Sequence, residues 1–317
     1  MTDPARVHVT TPTPTPTAEA AAAHPLRGTM LVLLSAACFG TTLIFSKRAF
    51  DDGATLLQLL SFRYIFGTLM LGLAAGGPAS VAAVGVRRWK LLVIGGGAQT
   101  AMAALSVSAL TYISAASVAF LFYTYPTWVA LLAIFRRTET VDANKAGALV
   151  LSLAGIVTIV GNPLGTTLDP RGIAMALAAS IVYALLIPWL GRIQDGLKPA
   201  AAMTWMALGA AVCFVVAALV TKTDLSTPST SLLINAGALA LIATTIAFTT
   251  FLAGLALLGP VRTSIVSTVE PFWTALLAGL VLGQPVGPRT WLGGAMIAAA
   301  MLVLQRKPSE RRVDKRS

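Results

Sequence analysis

Long apolar runs alternate with short polar connections along the whole chain. Ten runs approach the length of about 20 mostly apolar residues that carries a helix across a bilayer. They fall at approximately 29–46, 56–75, 91–110, 115–135, 146–162, 172–191, 199–221, 232–254, 263–283 and 290–304. Helices are expected rather than barrel strands, because the runs are long and uniform and lipid cannot satisfy an exposed backbone. The connections leave no room for a separate soluble domain. Residues 1–26, a Thr-Pro alternation followed by an Ala run, have no apolar periodicity and read as a disordered tail, not a signal peptide. Residues 305–317 read as a basic C-terminal tail.

The runs repeat. PTWVALLA (Pro126 to Ala133) and PFWTALLA (Pro271 to Ala278) match at six of eight positions with an offset of 145. Upstream, Arg27-Gly28 matches Arg171-Gly172 at an offset of 144, and Leu33/Leu177 and Asp51/Asp195 keep that register. Duplication explains two distant markers with nearly one offset better than chance similarity of Ala and Leu. Each copy then holds five helices, the first over 27–162 and the second over 170–304. Five is odd, so the second copy enters the membrane upside down relative to the first. The expected architecture is an all-α membrane protein of ten transmembrane helices in two inverted five-helix repeats. Many secondary carriers are built this way, with the substrate site near the midplane.

Composition narrows the class. Of 317 residues, 56% are hydrophobic and only 11% charged, with a mean hydropathy of +0.80; a soluble domain carries about 25% charged residues. The net charge of +11 is spread between apolar segments rather than along one soluble face, which argues against a nucleic-acid partner. Both histidines, His8 and His24, lie in the N-terminal tail, and Cys38 and Cys213 sit inside apolar runs. No metal site, no cofactor and no disulfide framework is expected. No phosphate-binding G-x-x-x-x-G-K-[ST] loop occurs. With the N-terminus inside, 17 Lys and Arg fall on the cytoplasmic side and five outside, and Arg63 within a span completes the 23. That bias places both termini in the cytoplasm.

The two five-helix copies, each with an A-L…S…P-x-x-x-A-L-L-A fourth helix, resemble the EamA domain of the drug/metabolite transporter superfamily. Arg63 early in the second span, Lys47 ending the first and Glu270-Pro271 in the ninth add to the likeness. The family often carries Leu-Gly-Glu after the fourth helix. Here the first copy keeps only the acid, in Thr138-Glu139, and the second has Gly283-Gln284, which weakens a role for that acid. The resemblance implies a carrier of the bacterial inner (plasma) membrane, often an exporter of amino acids or other small metabolites.

Charge inside a membrane is costly, so it marks function. Of 12 acidic residues only Glu270 lies well within a span. Thr263, Ser267, Glu270 and Thr274 are spaced 4, 3 and 4 apart, which places them on one face of a continuous helix. Glu270 is suited to bind a substrate ammonium or to carry a proton; the alternative is a structural acid beside a kink. Arg63 either pairs with Glu270, clamps a substrate carboxylate, or snorkels to the interface. By the repeat offset, Tyr125 matches Glu270 and Phe122 matches Ser267. Together they outline a cavity aromatic on one wall and polar on the other, suited to an amphipathic substrate. Pro126 and Pro271 stand at equivalent positions and fit paired hinges or gates, or static kinks, and Pro188 is a third proline inside a span. Tyr183 and Thr244 are among the secondary lining residues. Gly95-Gly96-Gly97 and Gly293-Gly294 read as close helix contacts.

The expected function is a secondary transporter, not an enzyme, exporting an amino acid or related metabolite by alternating access. Its partners are the small-molecule substrate, membrane lipid and protons as coupling ion, and it acts as monomer or homodimer. The rival readings are a lipid translocase or passive facilitator and, less well supported, a membrane-embedded lipid-modifying enzyme. For that enzyme, Asp51-Asp52 is the sole acidic pair.

Overall fold

A computed structural model of the chain describes residues 25–109, 111–113, 115–160, 169–283 and 286–305. Most of the N-terminal tail, the C-terminal tail beyond 305, and Gln284 lie outside the described residues. What is described is helical, without strands. Eight helices are long and apolar enough to cross a membrane: α1 (Pro25–Asp51), α2 (Leu56–Ala74), α4 (Ser117–Phe135), α5 (Ala143–Val160), α6 (Pro170–Ile193), α7 (Pro199–Val220), α8 (Thr230–Leu258) and α9 (Pro260–Val281). Two of the ten expected spans fall short of that standard. The third, α3 (Gly96–Ala109), follows a basic turn and runs through Gly96, Gly97, Gln99 and Thr100, which dilute its hydropathy. The tenth, α10 (Pro288–Leu304), is apolar but shorter.

The helices pair across the two copies. α5 packs chiefly on α10, α2 on α7, α1 on α8 and α3 on α6, while α4 meets α6 and α9. Exchanging the copies maps the α1–α8 contact onto α6–α3 and leaves α2–α7, α4–α9 and α5–α10 unchanged, so the packing has two-fold symmetry. Small residues set the close crossings. A Cβ on Gly155 would stand 2.8 Å from the Gly293 carbonyl, and one on Gly96 would stand 2.6 Å from Gly209 Cα. Gly95 and Gly294 are crowded in the same way, by Met206 and Phe272, whereas Gly97 meets nothing within 4 Å.

Regular helix is interrupted where the third and fourth helices of each copy pass through the bundle. π-Helical turns occupy Leu91–Gly95, leading into α3, and Leu239–Ile246 within α8. Such wide turns free backbone carbonyls for other partners. At one end of the bundle, loops of the two copies are tied together. Asp52 accepts a short hydrogen bond from Ser231, and Gln58 Nε2 donates to the Asp224 carbonyl at 2.8 Å. The Asp224 carboxylate itself accepts from the Ser226 amide, Ser226 Oγ and Thr227 Oγ1, which hold its pKa down at about 2.

Candidate substrate site at the paired helix breaks

Both fourth helices break one residue before their proline. α4 runs as Ala115–Phe122, turns at Tyr123 and Thr124, and restarts as Tyr125–Phe135. α9 runs as Pro260–Val266, tightens into a 3₁₀ turn at Ser267–Val269 and restarts as Glu270–Leu282. Pro126 and Pro271 are each the second residue of the new segment, where a missing N–H costs nothing. Pro188 instead lies inside the uninterrupted helix Pro170–Ile193. Tyr125 and Glu270 therefore both open a helical segment inside the bundle. Glu270 places a carboxylate at the positive end of a helix.

The break redistributes the expected polar stripe. A 3₁₀ turn has about 3.0 residues per turn against 3.6, so Thr263, Ser267, Glu270 and Thr274 do not form one continuous row. Thr263 and Ser267 are buried; Ser267 Oγ donates to the Thr263 carbonyl at 2.9 Å, and Thr263 Oγ1 has no partner. Glu270 and Thr274 are half-buried, and Thr274 Oγ1 donates to the Glu270 carbonyl at 3.0 Å. The first copy meets this segment directly. The Tyr125 hydroxyl, on a side chain only 1% exposed, points at the Ser264 carbonyl 3.4 Å away and is also a partner of Ser267.

Five rings gather around the breaks. Phe122 lies 5.7 Å from Tyr123, Tyr125 and Tyr183, centroid to centroid, and Tyr125 meets Tyr183 edge-on at 4.8 Å. Phe251 of α8 extends the cluster, 6.5 Å from Tyr183. These separations are those of favourable aromatic pairs. Tyr123, Tyr125 and Tyr183 all lie within the electrostatic reach of the Glu270 carboxylate. A carboxylate rimmed by aromatic faces suits a desolvated cation: charge pairs with the acid, and the rings add cation–π attraction. Tyr123 belongs to the aromatic run Phe120, Phe122, Tyr123, Tyr125 and Trp128 of α4, whereas nothing local in the sequence says that α6 and α8 bring Tyr183 and Phe251 to this level.

Arg63 is elsewhere. It is 7% exposed and donates through Nε to Thr244 Oγ1 at 3.0 Å and through Nη2 to the Ala243 carbonyl at 3.2 Å. Both acceptors lie in the π-helical part of α8. Its guanidinium stands 5.4 Å from the Tyr64 ring, and Gln99 Nε2 donates to the Tyr64 hydroxyl at 3.0 Å. Among the described residues the ion pairs are Lys47–Asp51 and Lys145–Glu139. Arg63 thus neither pairs with Glu270 nor reaches the interface; it is held by α8.

A cavity of about 710 Å³ opens beside the rings, bounded by Leu132 of α4, Pro188 and Arg192 of α6, Leu255 of α8 and the start of α9. Tyr125, Tyr183 and Phe251 precede Leu132, Pro188 and Leu255 by four to seven residues on the same helices, roughly 6–10 Å along the axes. Arg136 and Glu139 stand at the cavity's rim. Glu139 carries more than its isolated motif suggested. One carboxylate oxygen pairs with Lys145 Nζ at 3.1 Å, and the other accepts from the Val261 amide at 3.4 Å. The first copy thereby grips the start of the helix that carries Glu270.

The comparisons with known proteins agree with this architecture. The model of the EamA-like transporter family matches residues 26–161 and again 170–306. An uncharacterized inner membrane transporter, YicL, of Salmonella typhimurium is 28% identical over 180 residues, covering 56% of this chain and 59% of that protein. An uncharacterized transporter of Clostridium kluyveri is 28% identical over 174 residues, covering 50% and 54%. The chain thus spans little more than half the length of these curated relatives. A solved crystal structure shares the fold with a TM-score of 0.74 over 88% of this chain and 96% of that one, at 19% identity. With both repeats matched and eight apolar helices of membrane-crossing length among the described residues, this multi-pass membrane protein belongs to the EamA-like transporter family, within the drug/metabolite transporter superfamily.

Proposed function

We propose that the protein exports an amino acid or related amine-bearing metabolite by alternating access, with Glu270 and the surrounding rings as the binding site. The observation that carries this reading is the half-buried Glu270 carboxylate at a helix break, faced by Tyr123, Tyr125 and Tyr183. An ammonium group satisfies the acid while an apolar side chain packs on Phe122 and the tyrosines. The adjoining cavity of about 710 Å³ is of the size that accepts a small organic molecule. Ten spans are proposed, over 27–162 and 170–304, as two inverted halves with Pro126 and Pro271 as paired hinges. In this reading both termini lie in the cytoplasm of a bacterial cell, and Arg63 supports the path from its flank by holding α2 to α8.

The test compares extracellular metabolites from cells producing the wild type or Glu270→Gln at matched membrane levels. A compound enriched outside only with the wild type supports the reading and names the substrate class. Equal enrichment with both removes Glu270 from the path. Absence of enrichment with either, together with inert proteoliposomes of folded protein on a broad metabolite panel, overturns export. Coupling to protons through Glu270 is part of the proposal, and a transport rate indifferent to an imposed pH gradient refutes it.

A further inference from the structure

The connection between α2 and α3 forms a basic, aromatic ledge that the transport path does not use. Arg87, Arg88 and Lys90 follow one another there, beside Lys198 at the start of α7. Two of the four are already spent on backbone. Arg87 Nη1 donates to the carbonyls of Asp195 at 2.7 Å and Ile193 at 3.3 Å, and Lys198 Nζ donates to the Ala75 carbonyl at 3.3 Å and Ser80 Oγ at 3.2 Å. Each of these bonds ties one repeat to the other.

Arg88 differs. Its guanidinium stands 5.4 Å from the Trp89 ring and 5.9 Å from the Trp205 ring, and it pairs with no carboxylate among the described residues. Trp205 is fixed in turn, its Nε1 donating to the Val81 carbonyl at 3.0 Å. Lys90 is exposed and likewise unpaired among the described residues. Next to these cations, Val86, Trp89 and Val93 are 87%, 59% and 63% exposed. They follow one another across the short helix Arg87–Lys90, from the turn before it to the π-helical segment after it. The acid on the facing segment, Asp195, offers Arg87 its carbonyl.

The geometry points to a binding site for an anionic phospholipid, with the headgroup phosphate at Arg88 beside Trp205, the exposed Lys90 adding a second positive charge on the same turn, and the acyl chain along Val86, Trp89 and Val93. The charge is complementary, and guanidinium is the side chain best shaped for phosphate. Indole rings belong at the level of lipid headgroups. The two groups that form the site's walls, Arg88 and Trp205, come from different repeats, so a bound lipid would brace the seam that Arg87 and Lys198 already close.

The affinity of the purified full-length protein for phosphatidylglycerol and for phosphatidylcholine, titrated in detergent micelles, tests this. Phosphatidylglycerol is expected to bind preferentially, and each basic side chain removed should weaken it roughly fivefold, about thirtyfold for Arg88→Gln with Lys90→Gln. Arg88→Lys, which keeps the charge, should stay within a few-fold of the wild type and so separates lost binding from lost folding. Arg48→Gln with Lys222→Gln removes the same charge elsewhere and should leave affinity unchanged. Equal affinity for the two lipids, equal weakening in both double variants, or displacement of the lipid by millimolar inorganic phosphate each overturns the proposal.

Discussion

The two fourth helices break at equivalent positions and fill the break with opposite chemistry. In α4 the first residue after the interruption is Tyr125, almost wholly buried; in α9 it is Glu270, half-buried. Each is followed by proline, and each segment continues with the same W-x-A-L-L-A pattern. Duplication has kept the backbone device and released the side chain at its tip. A broken helix inside a membrane is tolerable only where its freed polar groups find partners or line a cavity. α4 finds them locally: Thr124 Oγ1 donates to the Leu121 carbonyl at 2.6 Å and shares a 3.1 Å hydrogen bond with Ser180, and Trp128 Nε1 donates back to Thr124 at 3.3 Å. In α9 Thr268 Oγ1 donates to the Ile265 carbonyl at 2.6 Å in the same way, and the restarted segment adds the Glu270 carboxylate. The first break is closed by neutral side chains, and the second adds a charge, which in the proposed function a substrate completes.

The strongest test of that contrast is to neutralise one tip and trim the other. Glu270→Gln keeps shape and removes charge. Losing one partner of a buried charged contact costs about 2–3 kcal/mol, so the half-saturating substrate concentration in proteoliposomes should rise thirtyfold or more. Tyr125→Phe removes the long 3.4 Å hydrogen bond to Ser264 and the neutral contact with Ser267 and should change the same constant no more than a few-fold. Equal losses from the two substitutions would erase the distinction between a neutral and a charged break.

Stability should rank the tips the other way. Tyr125→Ala empties a fully buried ring position that touches Phe122, Tyr123 and Tyr183, and is expected to cost about 3 kcal/mol. Unfolding in detergent reads this directly, and Glu270→Gln should leave the midpoint near that of the wild type. The prolines come next. If both breaks serve as hinges, Pro126→Ala and Pro271→Ala each slow transport. The second slows it more, because Glu270 rides on that break. Equal transport rates in the wild type and both variants would make the prolines mere fossils of the duplication.

Much of this was legible in the chain itself. Apolar run lengths and the repeated PxWxALLA motif, with its prolines, mark eight of the ten expected spans and where the fourth helices yield, because bilayer thickness and a missing N–H act locally. Partnerships were not legible. Pairing with Glu270, clamping a substrate carboxylate and snorkelling were all open to Arg63 from the sequence, and none of them points to its bonds with Thr244 and Ala243 in a π-turn about 180 residues away. The 4-3-4 spacing about Glu270 assumed a regular helix, and one 3₁₀ turn changes which side chains share a face. Tyr183 and Phe251 join the ring cluster only through helix packing, and aromatic residues in spans are too common to single out in advance.

Glu139 offers the finest adjustment of the comparison, because it holds the start of α9 from outside. Its two oxygens have separable jobs: one pairs with Lys145 at a partly exposed site, the other accepts the Val261 amide beside Gly259, whose φ is +75°. A carboxylate oxygen lies 3.0 Å from where a Gly259 Cβ would stand, so the contact is built around that glycine. Glu139→Gln keeps an acceptor for the amide and loses the ion pair, a change worth about 0.5 kcal/mol at such a site. Glu139→Ala also strips the acceptor and should cost about 1 kcal/mol more. If the grip on α9 matters for transport, the alanine variant alters the rate for a substrate bound at Glu270 while the glutamine variant does not. Identical behaviour of the two would assign the effect to the Lys145 pair and leave the second break held by its own turn.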